Sequence, residues 1–537
     1  VILKGTPPIP AALRERMRQY NHARSAWVGD LAPDGNSMVV TTRFGQTSQA
    51  HVVARPRGAR SQITFRDEPV RGPRFDPRDP NALLFMSDTG GDEQYQIYRL
   101  DRTRGTTVRL TDGTSRHGGY VWSDDGAQIA FTNNARNGKD MDLYLGDGRT
   151  PASATLLLER EGHWYPIGFS RDRQKLLVGH YVSINDSRLH LVDIPTKSLT
   201  RLSPDDEVAS YRNARLSPDG KTAYVASDRA GEFNQLYALD VASQRFTALT
   251  SDIPWNVEDM VLSPDGKTLA FVVNEDGYGP LYLLDTRTGR HRQAPGIPRG
   301  IVSGLRYSRQ DDTLAFTLTG PAMAGDAYRY LPRTGALERW TESEIGGLDP
   351  KRFVEPKLIR YPTFDGRQIP AFVYRPPNGA SSLPVVIWIH GGPESQARPS
   401  FNPLLQYLVR EAGFAVVVPN VRGSNGYGKS YLLLDNGEKR EDSVKDIGAL
   451  LDWIGTRPGF DPTRVGVFGG SYGGYMVLAS LVHFGARIKA GVDIVGISNF
   501  VTFLENTKDY RRDLRRAEYG DERDPEMRRF LETISPS

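Results

Sequence analysis

The chain has 537 residues, which is more than one ordinary hydrophobic core needs, so at least two domains are expected. Its 68 basic and 64 acidic residues are interspersed and leave a formal net charge of +4, which gives no electrostatic case for a nucleic-acid partner. The absence of cysteine excludes disulfides, a thiol nucleophile and thiolate zinc sites, but it does not fix the compartment.

No apolar run approaches the ~20 residues that a membrane-spanning helix needs, so no membrane partner is predicted. Neither a cofactor nor a metal is predicted. Because the chain begins at Val1 rather than Met, the presence of a cleaved leader stays open, as do cytoplasmic and periplasmic locations. The sequence leaves homo-oligomerisation open as well.

The N-terminal segment, residues 1–24, is predicted to be helical. From Ile9 to Ala26 its apolar residues recur at helical spacing. We expect its arginine-rich face to be solvated.

A repeat fills the first two thirds of the sequence. Each unit has an aromatic residue or Leu, a turn of the Ser/Ala-Pro-Asp-Gly type and an apolar strand. The units begin, at intervals of 44 to 47 residues, at Leu31, Phe75, Trp122, Phe169, Leu216, Leu262 and Tyr307. About four short strands per ~45-residue unit are typical of a β-propeller blade. The sequence therefore predicts a seven-bladed β-propeller over residues 25–345.

The aspartates of the repeat turns invite a metal-binding interpretation. Asp34, Asp219 and Asp265 each follow a proline. Such residues build β-turns by accepting hydrogen bonds from nearby backbone N–H groups. We therefore interpret them as architecture.

The pattern changes near residue 346, and strands then alternate with helices. Two strands joined by Asp365-Gly366 predict a hairpin, and the next strand, at 384–389, is apolar throughout, as a strand buried on both faces should be. Further strands follow at 414–419 and 464–468. This alternation is typical of an α/β fold with a mostly parallel sheet. Residues 346–537 are therefore expected to form a second domain of this α/β class.

The strand at 464–468 runs into Gly469-Gly470-Ser471-Tyr472-Gly473 and then into an apolar helix. This is the G-x-S-x-G elbow in its expected context of strand, sharp turn and helix, which predicts Ser471 as a nucleophile. A phosphate-holding glycine turn is the alternative, but the G-x-G-x-x-G spacing and an acidic ribose partner are missing.

A serine hydrolase also needs donors for the oxyanion of its intermediate. The backbone N–H of Tyr472 is one candidate. The second is expected in the loop His390-Gly391-Gly392-Pro393, where we favour Gly392 because this loop directly follows the strand at 384–389. We interpret His390 as structural.

Three segments together resemble the prolyl oligopeptidase family of serine peptidases: HGGPES from His390, NVRGSNGYGKSY from Asn420 and GGSYGGYM from Gly469. The resemblance extends to the acylaminoacyl-peptidase and dipeptidyl-peptidase-like branches. It implies an oligopeptide substrate, an acyl-enzyme on Ser471, and a His held by an Asp as the base. It further implies that the propeller covers the site, that the N-terminal helix packs on the hydrolase domain, and that Arg422 and Tyr427 lie near the active site. Loop packing is the equal alternative for those two residues.

The sequence departs from the family pattern after the nucleophile. The only later histidine, His483, lies 12 residues beyond Ser471 on the same helix, ~18 Å along its axis, so it is not the base. Asp493, Asp509 and Asp521 do not follow strands at the right place, and residues 508–529 are expected to form a solvated helical face. With the resemblance, this departure makes residues 346–537 an incomplete α/β-hydrolase domain, truncated before the triad Asp and His. We therefore expect the fragment to be inactive and its exposed sheet edge to be prone to aggregation.

Two alternatives remain open. The elbow alone would also fit a serine esterase, although simple esterases do not need so large a lid. A propeller binding module with a degenerate hydrolase domain would need no base. No Glu-Glu doublet occurs at 25–345, so no dipeptidyl activity is predicted.

Overall fold

The computed structural model describes residues 4–377, 379 and 381–537. Residues 1–3 of the predicted N-terminal segment therefore lie outside the described residues. Helix α1 spans Ala11–Asn21 and precedes the first blade, as its apolar spacing predicts.

Seven four-stranded antiparallel sheets follow, each built from consecutive strands, and they confirm the predicted seven-bladed propeller. The first two blades contain β1 to β8, at Trp27–Leu31, Met38–Thr42, Gln49–Val53, Ser61–Gln62, Arg71–Asp76, Asp79–Ser87, Gln96–Asp101 and Thr106–Arg109. The third and fourth contain β9 to β16, at Val121–Trp122, Ile129–Asn133, Asp142–Gly146, Thr155–Leu158, His163–Phe169, Lys175–Tyr181, Ser187–Asp193 and Ser198–Arg201. The last three contain β17 to β28, at Tyr211–Leu216, Thr222–Ser227, Gln235–Asp240, Phe246–Ala248, Asn256–Leu262, Thr268–Asn274, Leu281–Asp285, His291–Gln293, Ile301–Tyr307, Leu314–Gly320, Met323–Leu331 and Ala336–Arg339.

The first strand of each blade lies innermost, since β1, β13, β17, β21 and β25 contact the first strands of neighbouring blades. The second strands are almost wholly buried, as in β10, because they are covered on both faces by adjacent blades. In the described part of the chain, every pair of neighbouring blades shares one hydrophobic cluster. The propeller core is thus seven interfaces rather than one centre.

The repeat turns have the predicted structure. Asp34 Oδ1 accepts a hydrogen bond from the Asn36 N–H at 3.0 Å, and Asp265 Oδ1 accepts one from the Lys267 N–H at 3.0 Å. Among the described residues, no group of three or more His, Cys, Asp or Glu could hold a metal ion.

The ring closes where the chain enters and leaves the propeller. Ala23 and Ile345 form an antiparallel bridge, and the Arg24 N–H donates to Glu344 O at 2.8 Å. Trp340 and Ala327 of the last blade pack against Leu31 and Met38 of the first.

The second domain is a six-stranded sheet of order β29-β30-β32-β31-β33-β34. Its strands are β29 to β34, at Lys357–Pro362, Gln368–Tyr374, Ser382–Ile389, Ala415–Pro419, Gly459–Gly470 and Ala490–Ile494. The pairs β29–β30 and β30–β32 are antiparallel, and the other three pairs are parallel. The α/β-hydrolase prediction is confirmed, including the hairpin at Asp365-Gly366.

In the described part of this domain the helices are α2 to α8, at Pro403–Arg410, Lys429–Leu432, Asp442–Gly455, Tyr472–Phe484, Phe500–Asn506, Asp509–Tyr519 and Pro525–Thr533. Short 3-10 turns lie at Pro350–Arg352, Gly437–Lys439 and Gly485–Arg487. No helix in the described ranges is both long and apolar enough to cross a bilayer.

Helix α1 packs on α2 of the hydrolase domain, as the family resemblance implies. Tyr20 lies edge-on to Tyr407, with ring centroids 5.5 Å apart, and its hydroxyl donates to Glu411 at 3.0 Å. Arg16 pairs with the same Glu411 carboxylate. The expectation of a wholly solvated arginine face is therefore wrong at Arg16, because a tertiary carboxylate faces it.

Candidate active site

Ser471 stands at the turn between β33 and α5. Its φ of 57° and ψ of −124° lie outside the regions that ordinary residues occupy, and its side chain is exposed. The Ser471 N–H donates to Ile494 O of β34 at 2.9 Å, so the neighbouring strand holds the turn in place. Strained geometry of this kind persists only where the surroundings over-determine it.

Glycines permit this turn because other backbone comes very close. A Cβ built at Gly473 would lie 2.3 Å from Ile389 O, and one at Gly469 would lie 2.2 Å from Gly473 O. A Cβ at Gly474 would meet the Asp493 carboxylate at 2.2 Å. The elbow sequence is therefore required by packing as well as by backbone conformation.

The loop after β31 lies directly against the elbow. A Cβ at Gly391 would be 3.0 Å from Gly470 O and 3.3 Å from Ser471 Cβ. Gly392 has φ of 133°, and its carbonyl accepts a hydrogen bond from the Tyr519 hydroxyl at 3.0 Å. Tyr519 of α7 thus supports this loop, a contact that sequence reasoning missed.

His390 is engaged through both ring nitrogens. Nδ1 lies 2.7 Å from Gly391 O, and Nε2 lies 2.9 Å from Ser424 Oγ. Burial lowers the pKa of this imidazole. His483 is at the far end of α5, where Nε2 lies 2.8 Å from Glu441 Oε1. Within the described residues, then, neither histidine contacts Ser471.

Arg422 and Tyr427 lie in the loop after β32. Arg422 is 2% exposed, and its guanidinium donates to both oxygens of Asp446 and both of Asp365. The Tyr427 hydroxyl accepts from Asn420 Nδ2 at 3.1 Å, and its ring lies edge-on to Trp255 of the propeller. Both side chains are committed to packing partners.

A group of buried charges lies beside the elbow, and sequence reasoning missed it. Arg440, fully buried, donates to Asp435 Oδ2 at 2.6 Å and to Glu518 O at 2.8 Å. The Tyr472 hydroxyl donates to the same Asp435 at 3.3 Å. Arg515 pairs with Glu518 at 3.2 Å. These hydrogen bonds and ion pairs connect Tyr472, the residue after Ser471, to α7.

Two glutamates of this group are poorly compensated. Burial raises the pKa of Glu394 to about 7 and that of Glu518 to about 8, and the Glu394 charge adds to the effect on Glu518. Glu518 is 2% exposed, and its Oε1 has no hydrogen-bond partner in the described part of the chain. Two features of the sequence could have indicated this group. One is Glu394, an acidic residue directly after the glycine loop, and the other is Glu518-Tyr519-Gly520 at the end of a charged helix.

The prediction of a solvated face at 508–529 is therefore wrong for α7. Its C-terminal end is buried at Glu518 and Tyr519. Its N-terminal end contacts the propeller: the Tyr510 hydroxyl and Arg511 both donate to Glu93, at 2.5 and 2.6 Å. The high charge of this helix serves contacts with another domain, which periodicity within the helix does not reveal.

A cavity of about 640 Å³ separates the propeller from the hydrolase domain. His163, Tyr181 and Arg212 line it from the propeller, and Asn425 and Leu514 line it from the hydrolase domain. Burial lowers the pKa of His163 to about 4, so this imidazole is neutral at physiological pH. The chamber is lined mainly by polar side chains, and through Leu514 it borders α7, the helix that supports the glycine loop.

Residues 399–536, which include the elbow and α7, match the model of the prolyl oligopeptidase family. Related proteins align over four fifths of the chain and solved structures over nearly all of it. The chain is similar to the prolyl oligopeptidase family, and the family model matches its C-terminal domain. The resemblance inferred from the glycine loop and the elbow is thereby confirmed.

Two family relatives illustrate the extent of the match. Dipeptidyl aminopeptidase BIII of Pseudoxanthomonas mexicana is 26% identical over 80% of this chain, which spans 64% of that relative's length. Dipeptidyl-peptidase 5 of Porphyromonas gingivalis is 23% identical over 87% of this chain, which spans 77% of that relative. A solved structure from work on two prolyl endopeptidases superposes with a TM-score of 0.85 at 17% identity, covering 98% of this chain and 80% of that one. This last likeness shows that the two-domain fold is shared.

Proposed function

We propose that the protein is a serine peptidase that cleaves short peptides through an acyl-enzyme on Ser471. The observation that carries the proposal is the exposed Ser471 side chain at a strained turn, at the N-terminal end of α5. A helix N-terminus favours negative charge, and an elbow presents the hydroxyl to substrate. The base would be a histidine held by an aspartate, as in the family.

The proposed oxyanion donors are the backbone N–H groups of Tyr472 and Gly392. Tyr472 is the first residue of α5, where N–H groups have no partner within the helix. Gly391 packs on the Ser471 side chain, which brings the neighbouring Gly392 to the same side of the elbow. Two such donors stabilise the charge that develops on the carbonyl oxygen during acyl transfer.

The position of the chamber between the two domains favours a peptide rather than a protein substrate. A volume of about 640 Å³ accommodates a few residues, and the propeller shields it from folded chains. The names of the two relatives favour peptides with free N-termini, from which a dipeptide would be released, as the first substrates to screen. Esters are the comparison class, since an elbow alone accepts them.

The test is fluorophosphonate labelling of the full-length gene product. We expect wild type to be labelled and Ser471→Ala to lose labelling completely, while Ser243→Ala, an exposed serine of the fifth blade, is labelled like wild type. A folded wild-type protein that resists the probe would exclude the enzyme and favour a binding module. Matched peptidyl and ester substrates, with free and acetylated N-termini, then separate peptidase from esterase.

A further inference from the structure

The central channel of the propeller opens into a second cavity, of about 590 Å³, at the end remote from the hydrolase domain. The chamber described above is lined by the beginnings of first strands, such as His163 of β13 and Asn256 of β21. The second cavity is lined by their ends, such as Arg215 and Leu216 of β17, and by the repeat turns. We call it the distal cup.

The repeat itself builds the distal cup. Every blade contributes two residues, whose positions are counted from the first residue of its repeat unit. One lies directly before that residue, and the other lies two positions after that residue. The first set includes Arg74, Arg215 and Arg306, and the second includes Arg171 and Arg309. Five arginines from four blades therefore meet around one axis.

In the described part of the chain, none of these five guanidinium groups lies within 4.0 Å of a carboxylate, and each donates to backbone carbonyls. Arg215 donates to Ala214 O at 2.7 Å, and Arg74 and Arg306 both donate to Gly29 O. Arg171 donates to Pro264 O at 2.6 Å and Arg309 to Asp124 O at 2.8 Å. A guanidinium has five N–H donors, so each retains donors for a ligand.

The acidic groups of the cup do not neutralise it. Asp30 and Asp124 are the aspartates that line it, against five arginines. Asp30 already accepts the Leu31 and Phe75 N–H groups, at 3.0 and 3.2 Å. Asp259, which lies near Arg215, accepts the N–H groups of Gly304 and Leu305, both at 3.1 Å. Burial lowers the pKa of Arg215 below its usual range. The charge of Asp259 opposes this effect, and the charge of Arg74 adds to it.

The donors that the cup offers are therefore guanidinium N–H groups, and such groups are matched by an oxygen-rich anion.

We propose that the distal cup binds a diphosphate, either as inorganic pyrophosphate or as the diphosphate of a nucleotide. Guanidinium forks match phosphate oxygens in bidentate geometry, and such charge-assisted bonds are about twice as strong as neutral ones. A single phosphate group carries only about two charges at neutral pH, fewer than a diphosphate. A diphosphate reaches arginines of several blades at once and offsets the excess positive charge.

Isothermal titration calorimetry of the full-length protein with inorganic pyrophosphate, at low and at physiological salt, tests the assignment. We expect saturable binding that weakens as salt rises, because the contacts are ionic. Arg74→Gln combined with Arg215→Gln should weaken binding at least tenfold. Arg171→Gln combined with Arg309→Gln should weaken it by a smaller factor, and since both side chains are exposed, this pair leaves the fold intact.

The matched control is Arg245→Gln, an exposed arginine of the fifth blade outside the cup, which should bind like wild type. Adenosine diphosphate that binds more tightly than pyrophosphate would identify the nucleotide as the source, whereas equal or weaker binding would identify free pyrophosphate. Absence of saturable binding of either compound, or equal affinity in all variants, would overturn the proposal. Fluorophosphonate labelling is independent of this readout, so the two proposals can fail separately.

Discussion

At the scale of single residues, the elbow depends on the absence of side chains around Ser471. A non-glycine residue at positive φ costs of order 1–3 kcal/mol, and the Ile494 carbonyl and the glycine contacts hold Ser471 there. The neighbouring glycines therefore differ in how much a methyl group would disturb them. A Cβ atom at Gly473 would meet carbonyl oxygens, whereas a Cβ atom at Gly485, at the other end of α5, would have no other atom within 4 Å.

Gly473→Ala should destabilise the hydrolase domain by about 1–3 kcal/mol, because its Cβ would overlap Ile389 O and force β31 and α5 apart. Gly485→Ala is the control and should be neutral or stabilising by up to about 1 kcal/mol, since Gly485 already has φ of −56°. Urea unfolding of both variants measures the difference. Equal midpoints for the two would contradict the close approach seen at Gly473.

The nucleophile could be predicted from sequence and its electrostatic surroundings could not. G-x-S-x-G after an apolar strand identifies Ser471 because the spacing itself encodes the turn. Arg440, Glu394 and Glu518 come from three separate segments, and no local pattern brings them together. Arg422 shows the same limit, because its carboxylate partners lie 57 and 24 residues away.

At the scale of elements, α7 connects the two domains. Its first turn is bonded to Glu93 of the propeller, and its last residue supports the glycine loop through Tyr519. Sequence periodicity identifies α7 as a helix, but its charged face looks solvated until the propeller is placed against it. Strands were easier to predict, since continuous apolar runs such as 415–419 have one stable location, inside a sheet.

Glu93→Gln should loosen the N-terminal end of α7. The pair is half-exposed, so we expect the loss of about 0.5–1 kcal/mol, and hence amide exchange about two- to fivefold faster in residues 509–519. Hydrogen exchange read by mass spectrometry measures this. Glu161→Gln, at an exposed glutamate without ion pairs in the described part of the chain, should leave the exchange unchanged. Unaltered exchange in the Glu93 variant would show that α7 is held from the hydrolase side alone.

At the scale of the whole molecule, buried carboxyls make stability depend on pH. The folded-state pKa values of about 7 for Glu394 and about 8 for Glu518 exceed the ordinary value, so the folded protein binds more protons than the unfolded chain between about pH 4.5 and 8. Stability from this source is complete below that window and is lost as pH rises through it. Arg440, Arg515, Arg212 and Asp435 also face these glutamates, and the three arginines moderate the loss.

Glu518→Gln should therefore flatten the pH dependence. We expect its melting temperature to exceed that of wild type by about 2–4 °C at pH 9 and to show no gain at pH 5, where the native side chain is already protonated. Thermal unfolding between pH 5 and 9 measures both curves, with Glu161→Gln as the control. Parallel curves for wild type and Glu518→Gln would show that the glutamate stays ionised in the fold.

The bridge between Ala23 and Ile345 has a consequence for how such a molecule can be assembled. Helix α1 belongs spatially to the hydrolase domain, so the propeller is an insertion whose two attachment points touch. An insertion closed at its base leaves the geometry of its host unchanged and costs little loop entropy, however long the inserted chain. Whole blades can thus be gained or lost between residues 27 and 339 without moving α1 relative to the sheet that carries Ser471.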